Sequence, residues 1–217
     1  MRARRLPQME QALFFCTVEA YARFLWEAKI VQVRTNPPWF RWASGIESPI
    51  YVDHRRLLSY PEWRRWAVET LMRKLRHSMP SFRAVVGVAT GGIAWAAWLG
   101  DAMQLPVGYV RPQPKSHGLT RQVEGLSTPM PVLLVEDLVS TGASLRKSAE
   151  ALESEGYPVV GAATLWSYEL SDVASLLYPI CRLLTFPEAL LYWLKAGYLK
   201  DTDVSFLRAW HRQTSGS

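Results

Sequence analysis

PVLLVEDLVSTGASLRKS, Pro131 to Ser148, decides the fold. Val132 to Val135 is a short apolar, β-rich run, as expected of a strand buried on both faces of a parallel sheet. Glu136 and Asp137 follow, where the reading ends that strand. A turn of small residues comes next: Ser140, Thr141, Gly142, Ala143 and Ser144. A helical period starts there, with Leu145, Ala149 and Leu152 on one face and Gly156 as its stop.

The order of these parts suggests chemistry. Such a turn sets free backbone N–H groups and hydroxyls at a helix N-terminus, which suits a phosphate monoester. Gly142 would let the backbone approach the anion closely. The two acids a few residues earlier would suit the hydroxyls of a ribose, or a metal shared with it. The Walker pattern is absent, since no Lys follows Gly142 directly. The plain alternative is a strand, a turn and a helix with a capping Ser. It leaves the acid pair and the hydroxyl-rich turn unexplained.

Outward from this stretch, strands and helices alternate. Strands are expected at Ile50–Val52, Ala84–Ala89, Val107–Val110, Val159–Leu165 and Ile180–Thr185. Helices are expected over residues 8–30, from Pro61 to about His77, and at Ile93–Met103, Ser171–Tyr178 and Pro187–Ala196. A last helix, capped by Asp201, runs to about His211. This order predicts an α/β fold with a doubly wound parallel sheet and right-handed crossovers. Ligands of such sheets bind off the carboxyl ends of the strands, and the segments after residues 89, 110 and 135 all leave from that edge. Residues 111–130 are polar and too long for a simple connection, so they read as a functional loop. Trp39 and Trp42 read as packing residues of a hairpin.

Composition narrows the class. The chain has 217 residues, 49% hydrophobic and 20% charged, enough for one globular domain with a sizeable core. A net charge of +6 fits a polyphosphate substrate as well as nucleic acid, but no basic stripe interleaved with aromatics is present. The two Cys, Cys16 and Cys181, read as buried free thiols of a reducing compartment. The four His show no metal-ligand spacing. No run reaches the ~18 apolar residues of a membrane span. The basic start resembles a signal peptide only faintly, because Glu10 and Glu19 interrupt it. The expected location is the cytoplasm.

The stretch at 131–148 resembles the signature of the type I phosphoribosyltransferases. Four more segments complete the resemblance: WASGIESPIYVDHR from Trp42 to Arg55, GVATGGI from Gly87 to Ile93, RPQPKSHG from Arg111 to Gly118, and VEG from Val123 to Gly125. Together they resemble the branch that uses orotate, over about Glu27 to Trp210. The resemblance implies one domain over residues 1–217, with a hood from about 8–60 plus the C-terminal helices and a core of about 61–186. It implies transfer of phosphoribose from phosphoribosyl pyrophosphate to orotate, in pyrimidine nucleotide synthesis.

The resemblance also assigns residues. Lys115, His117 and Asp137 are the catalytic candidates. Phosphoribosyl pyrophosphate would be bound by Arg111, Lys115, His117, Glu136, Asp137 and the turn Ser140, Thr141, Gly142, Ala143 and Ser144, with Thr90, Gly91 and Gly92 on its pyrophosphate. Ser44, Gly45, Tyr51 and Arg55 would meet orotate. Mg²⁺ is expected, held mainly by substrate oxygens near Glu136 and Asp137, with no direct protein cage. A homodimer with shared sites is implied, without membrane or nucleic-acid partners. The sequence departs from the pattern at Ala43, often Lys in the family, at Pro112, a loop Lys in the family, and at Trp166-Ser167-Tyr168, which lacks an Arg that one branch aims at the base. Two alternatives follow: transfer to another nucleobase, or a non-catalytic, nucleic-acid-binding regulator on the same fold.

Overall fold

The computed structural model describes residues 17–42, 44–113 and 121–216. The chain forms two compact units. Of the described residues, one contains those up to Trp66 together with Glu188–Trp210; the other contains those from Ala67 to Pro187 together with those from His211.

In the first unit, Thr17 caps helix α1 (Val18–Glu27), its hydroxyl accepting from the Ala20 N–H at 3.1 Å. Two short antiparallel pairs follow. Strand β1 (Val31–Val33) pairs with β4 (Ile50–Val52), and β2 (Phe40–Arg41) pairs with β3 (Glu47–Ser48). A 3-10 turn occupies His54–Ser59, and helix α2 begins at Pro61 and runs to Ser78. The unit is held largely by aromatic rings. Tyr21 is fully buried beside Trp63 and Trp66, and Phe24 stacks on Trp63 at 4.5 Å. Trp39 lies against Phe206, and Trp42 meets Trp210 edge-on while donating to the Ile50 carbonyl. Both are packing residues, as expected. The helical period expected over residues 8–30 is real only to Glu27 at its C-terminal end. Lys29 adopts φ +55°, which closes the helix and turns the chain into β1.

The second unit is built on a six-stranded sheet in the order β10-β9-β8-β5-β6-β7. Its strands are β5 (Ala84–Val88), β6 (Val107–Val110), β7 (Val123–Glu124), β8 (Val132–Val139), β9 (Val159–Ser167) and β10 (Ile180–Thr185). Every pair is parallel except β6 with β7. Helix α3 (Gly91–Met103) follows β5, and α4 (Ala143–Ser154) follows β8. From β5 the chain steps to β6 on one side and later returns as β8 on the other. The β5–β8 boundary is therefore the switch point where such sheets open a crevice at their carboxyl ends. Val132 to Val135 are wholly buried, as their unbroken apolar run predicts.

Three expectations need correction. Strand β8 does not end at Val135: β9 is long enough to pair with it through Leu138↔Trp166 and Val139↔Ser167, so the backbone stays extended through both acids. The helix expected at Ser171–Tyr178 is a 3-10 turn over Ser171–Ser175, and the chain is extended again at Leu176. The sheet is not purely parallel, because the loop after β6 returns as β7 along the same edge. Helix α5 (Phe186–Lys195) is close to expectation, and α6 (Asp201–Ser215) runs past the expected end at His211. Cys181 is a buried free thiol, while Cys16 lies outside the described residues.

Trp193 of α5 is fully buried and donates its indole N–H to the Ala22 carbonyl of α1 at 2.7 Å. Trp193→Ala removes both the packing and the donor and should cost about 3–5 kcal/mol. Trp193→Phe keeps most of the bulk and should cost about 1–2 kcal/mol through the orphaned carbonyl. Urea midpoints of the two variants against wild type read that ranking.

Candidate active site

The carboxyl edge of the sheet at β5 and β8 is shaped first by glycines. The pairing of β5 with β8 ends at Gly87↔Val135, so the next two residues of β8 are unpaired on that side. Helix α3 starts in that gap. A Cβ on Gly92 would run into the Val135 carbonyl and stand 3.3 Å from the Glu136 Cα; one on Gly91 would lie 2.5 Å from the Asp137 carboxyl carbon. On the strand, a Cβ on Gly87 would come within 2.7 Å of the Ile93 Cα. The Gly-rich turn thus seats the start of α3 directly on the acidic strand. Thr90 precedes it, exposed, with no side-chain cap bond.

The two acids do not share a face. Adjacent residues of a strand point to opposite sides. Asp137 faces the turn at Gly91, while Glu136 faces the start of α4, where the Ser144 side chain favours its ionised form. Glu136 is only 9% exposed. Burial, and secondarily the charge of Asp137, pushes its carboxyl up to about 8, so it is largely protonated at neutral pH. Tyr178, whose buried hydroxyl has no hydrogen-bond partner among the described residues, is also held above its ordinary range, first by burial and then by Glu136.

The turn after β8, read from the sequence as a phosphate cradle, leads directly into α4. Gly142 has φ +74°, a conformation that favours glycine, and α4 begins at the next residue. The first helical bond runs from the Arg146 N–H to the Gly142 carbonyl at 3.0 Å. Donors of the preceding residues belong to the first turn, which has no partners within its own helix. The Thr141 hydroxyl accepts a long bond of 3.4 Å from the Ala143 N–H. Arg146 donates to the Ser175 hydroxyl at 3.2 Å, which ties α4 to the 3-10 turn. Leu145, Ala149 and Leu152 form the buried face of α4.

Arg111 follows β6 on the same edge. Its guanidinium is 3.5 Å from the Glu124 carboxylate, and its backbone N–H donates to the Gln122 carbonyl at 2.9 Å. Lys115 and His117 lie outside the described residues. The four residues expected to meet orotate belong to the other unit. Ser44 and Gly45, exposed, form the turn between β2 and β3, with Gly45 at φ +88°. Tyr51 stacks on Phe40 at 5.5 Å and is 39% exposed, and Arg55 is exposed on the 3-10 turn. Sequence reasoning missed the separation of Glu136 from Asp137. The period-two alternation of an extended chain would have revealed it had the strand been carried through to Val139.

Among the described residues, no three His, Cys, Asp or Glu side chains cluster as a metal cage. Glu136, buried and largely protonated, is a poor ligand. That leaves Asp137, a donor set fit for an ion held mostly by the oxygens of a bound substrate.

Residues 63–183 match the phosphoribosyl transferase domain family. An orotate phosphoribosyltransferase of Enterococcus faecalis is 37% identical over 88% of this chain and 93% of its own length. The crystal structure of orotate phosphoribosyltransferase from Aeropyrum pernix superposes with a TM-score of 0.69 at 34% identity, covering 82% of this chain and 98% of that one. A UMP synthase of Leishmania donovani superposes with a TM-score of 0.77 at 25% identity over 92% of this chain, which spans 43% of that longer protein.

The position of Glu136 makes stability depend on pH. Its folded value of about 8 lies above the ordinary 4.5, so the folded state keeps a proton that the unfolded state releases. The contribution is complete below about 4.5, shrinks by up to about 1 kcal/mol per unit as pH rises, and levels off above about 8. Glu136→Gln, which mimics the protonated form, should flatten this slope. Its Tm should match wild type near pH 4.5 and exceed it at pH 8.5, read by thermal melts across that range.

Proposed function

Because this chain belongs to the phosphoribosyltransferase family, we propose that it is an orotate phosphoribosyltransferase. It would join orotate to phosphoribosyl pyrophosphate, giving orotidine 5′-monophosphate and pyrophosphate. A ring nitrogen of orotate forms the new bond to the anomeric carbon as the bond from that carbon to the pyrophosphate oxygen breaks, and the proton lost from that nitrogen leaves with the pyrophosphate. The observation that carries this reading is the single edge where Asp137, the Gly91-Gly92 turn and the Gly142 cradle all emerge.

The roles follow from charge and position. The cradle from Ser140 to Ser144 receives the 5′-phosphate on backbone N–H groups and hydroxyls at the start of α4. Asp137 accepts from a ribose hydroxyl as positive charge develops on the ring. Glu136, carrying its proton, donates in the same region and adds no second charge. Thr90, Gly91 and Gly92 offer backbone donors to the pyrophosphate. Arg111, Lys115 and His117 neutralise the departing pyrophosphate from the loop. Ser44, Gly45, Tyr51 and Arg55 hold the flat, anionic base through backbone, ring and cation. Bound Mg²⁺ would supply charge to the polyphosphate, with Asp137 as the carboxylate beside it. We place the reaction in pyrimidine nucleotide synthesis in the cytoplasm, carried out by a homodimer with shared sites and a single domain per chain. No helix among the described residues is long and apolar enough to cross a membrane.

Loss of orotate absorbance, dependent on phosphoribosyl pyrophosphate and Mg²⁺, tests the reaction; no loss with orotate beside turnover of another base would reject it. Asp137→Asn keeps the shape and removes the charge. Turnover should fall by roughly 10²-fold while the melting temperature stays near wild type.

Sharing of sites is tested by mixing two inactive proteins, Lys115→Ala with His117→Ala and Glu136→Ala with Asp137→Ala. If loops act across the interface, each mixed dimer has one complete site. Random exchange makes about half the dimers mixed, so activity should return to about a quarter of wild type. No return after verified exchange would assign each loop to its own chain.

A further inference from the structure

The long excursion between β6 and β7 leaves and re-enters the sheet through a closed neck. The Arg111 N–H donates to the Gln122 carbonyl at 2.9 Å, and the Gln122 side-chain amide donates back to the Arg111 carbonyl at 2.7 Å. The returning limb is then tied to a third element. One carboxylate oxygen of Glu155 accepts from the Gln122 N–H at 2.7 Å and from the Val123 N–H at 3.1 Å. Val123 and Glu124 register with Val110 and Tyr109, so these bonds sit where the excursion becomes sheet. Below them, Gly108 and Gly125 permit a close backbone approach: a Cβ on either would lie 2.7 Å from a carbonyl oxygen of the facing strand.

Glu155 is an unfavourable residue for its position by local rules. It caps the C-terminus of α4, where the helix dipole disfavours negative charge. Its two backbone donors compensate, because bonds to an ionised acceptor are stronger than neutral ones. The same helix starts in the Gly142 cradle. One rigid element of 12 residues therefore bears the phosphate turn at one end and the tie to the loop's neck at the other.

We infer that Glu155 and Gln122 are positioning residues for phosphoribosyl pyrophosphate. They act through Arg111 at the neck, holding it at a set distance and angle from the cradle. This rests on the reading of the preceding subsection for the identity of the ligand. Neither residue is assigned a contact with substrate.

The experiment compares Glu155→Ala and Glu155→Gln with wild type, using phosphoribosyl pyrophosphate with Mg²⁺, and orotate, as separate titrants. Binding of the pyrophosphate should weaken by about tenfold in Glu155→Ala and less in Glu155→Gln, which keeps an acceptor. Orotate binding should stay within about twofold of wild type, and Glu155→Gln should melt with wild type. Amide exchange at Gln122 and Val123 should quicken in the same order, Ala above Gln. A general loss of structure would move both ligands and the melting temperature together. Unchanged phosphoribosyl pyrophosphate affinity in Glu155→Ala overturns the inference whatever the exchange shows, and unchanged exchange overturns the tie itself. The titrations need no turnover. Wild type that binds phosphoribosyl pyrophosphate but consumes no orotate sinks the orotate reading alone, and wild type that does not bind it sinks both.

Discussion

The site depends on an unequal pair of neighbours. β8 is held by β5 on one side only to Val135, and by β9 on the other as far as Val139. The acids therefore stand on a strand that is rigid along one edge and open along the other. The start of α3 occupies the open edge, and only glycine fits there, because the backbone of the turn lies against the backbone of the strand. A single methyl at Gly92 would push the two apart. The precision of the site is thus set by main-chain contact, which shifts less than side-chain packing does.

That arrangement divides the labour of two like charges. Side by side and exposed, Glu136 and Asp137 would both be ionised and would repel. Placed on opposite faces, they meet different surroundings. Glu136 is buried against the start of α4 and keeps its proton, while Asp137 faces the turn at Gly91. Glu136 is thereby left able to donate a hydrogen bond. Pairs of titratable groups driven apart by their environments are a recurring feature of catalytic sites.

Helix α4 is central for a mechanical reason. Its first turn is the proposed cradle, its flank binds the 3-10 turn through Arg146, and its C-cap holds the limb of the loop that returns to the sheet. Its buried face of Leu145, Ser148, Ala149 and Leu152 anchors all three. A helix is stiff over this length, so a displacement at one end is felt at the other.

Much of this was legible in the residues. An apolar run, a turn of small residues ending in Gly142 and a helical period closed by Gly156 are local signals, and the structure follows them closely. The candidates for the site were named on the same kind of signal, reactive types gathered in short segments. What required tertiary structure was everything set by residues far apart in the chain. The strand runs on through Glu136 and Asp137 because Trp166 and Ser167 pair alongside it. The Glu136 carboxyl is raised because burial there is a property of the assembled sheet and helix. Strand β7 and the tie from Glu155 to Gln122, 33 positions away, leave no periodic trace in either segment. Local propensity decides what a segment becomes; burial and pairing across the sheet decide which of its groups are charged and what they hold.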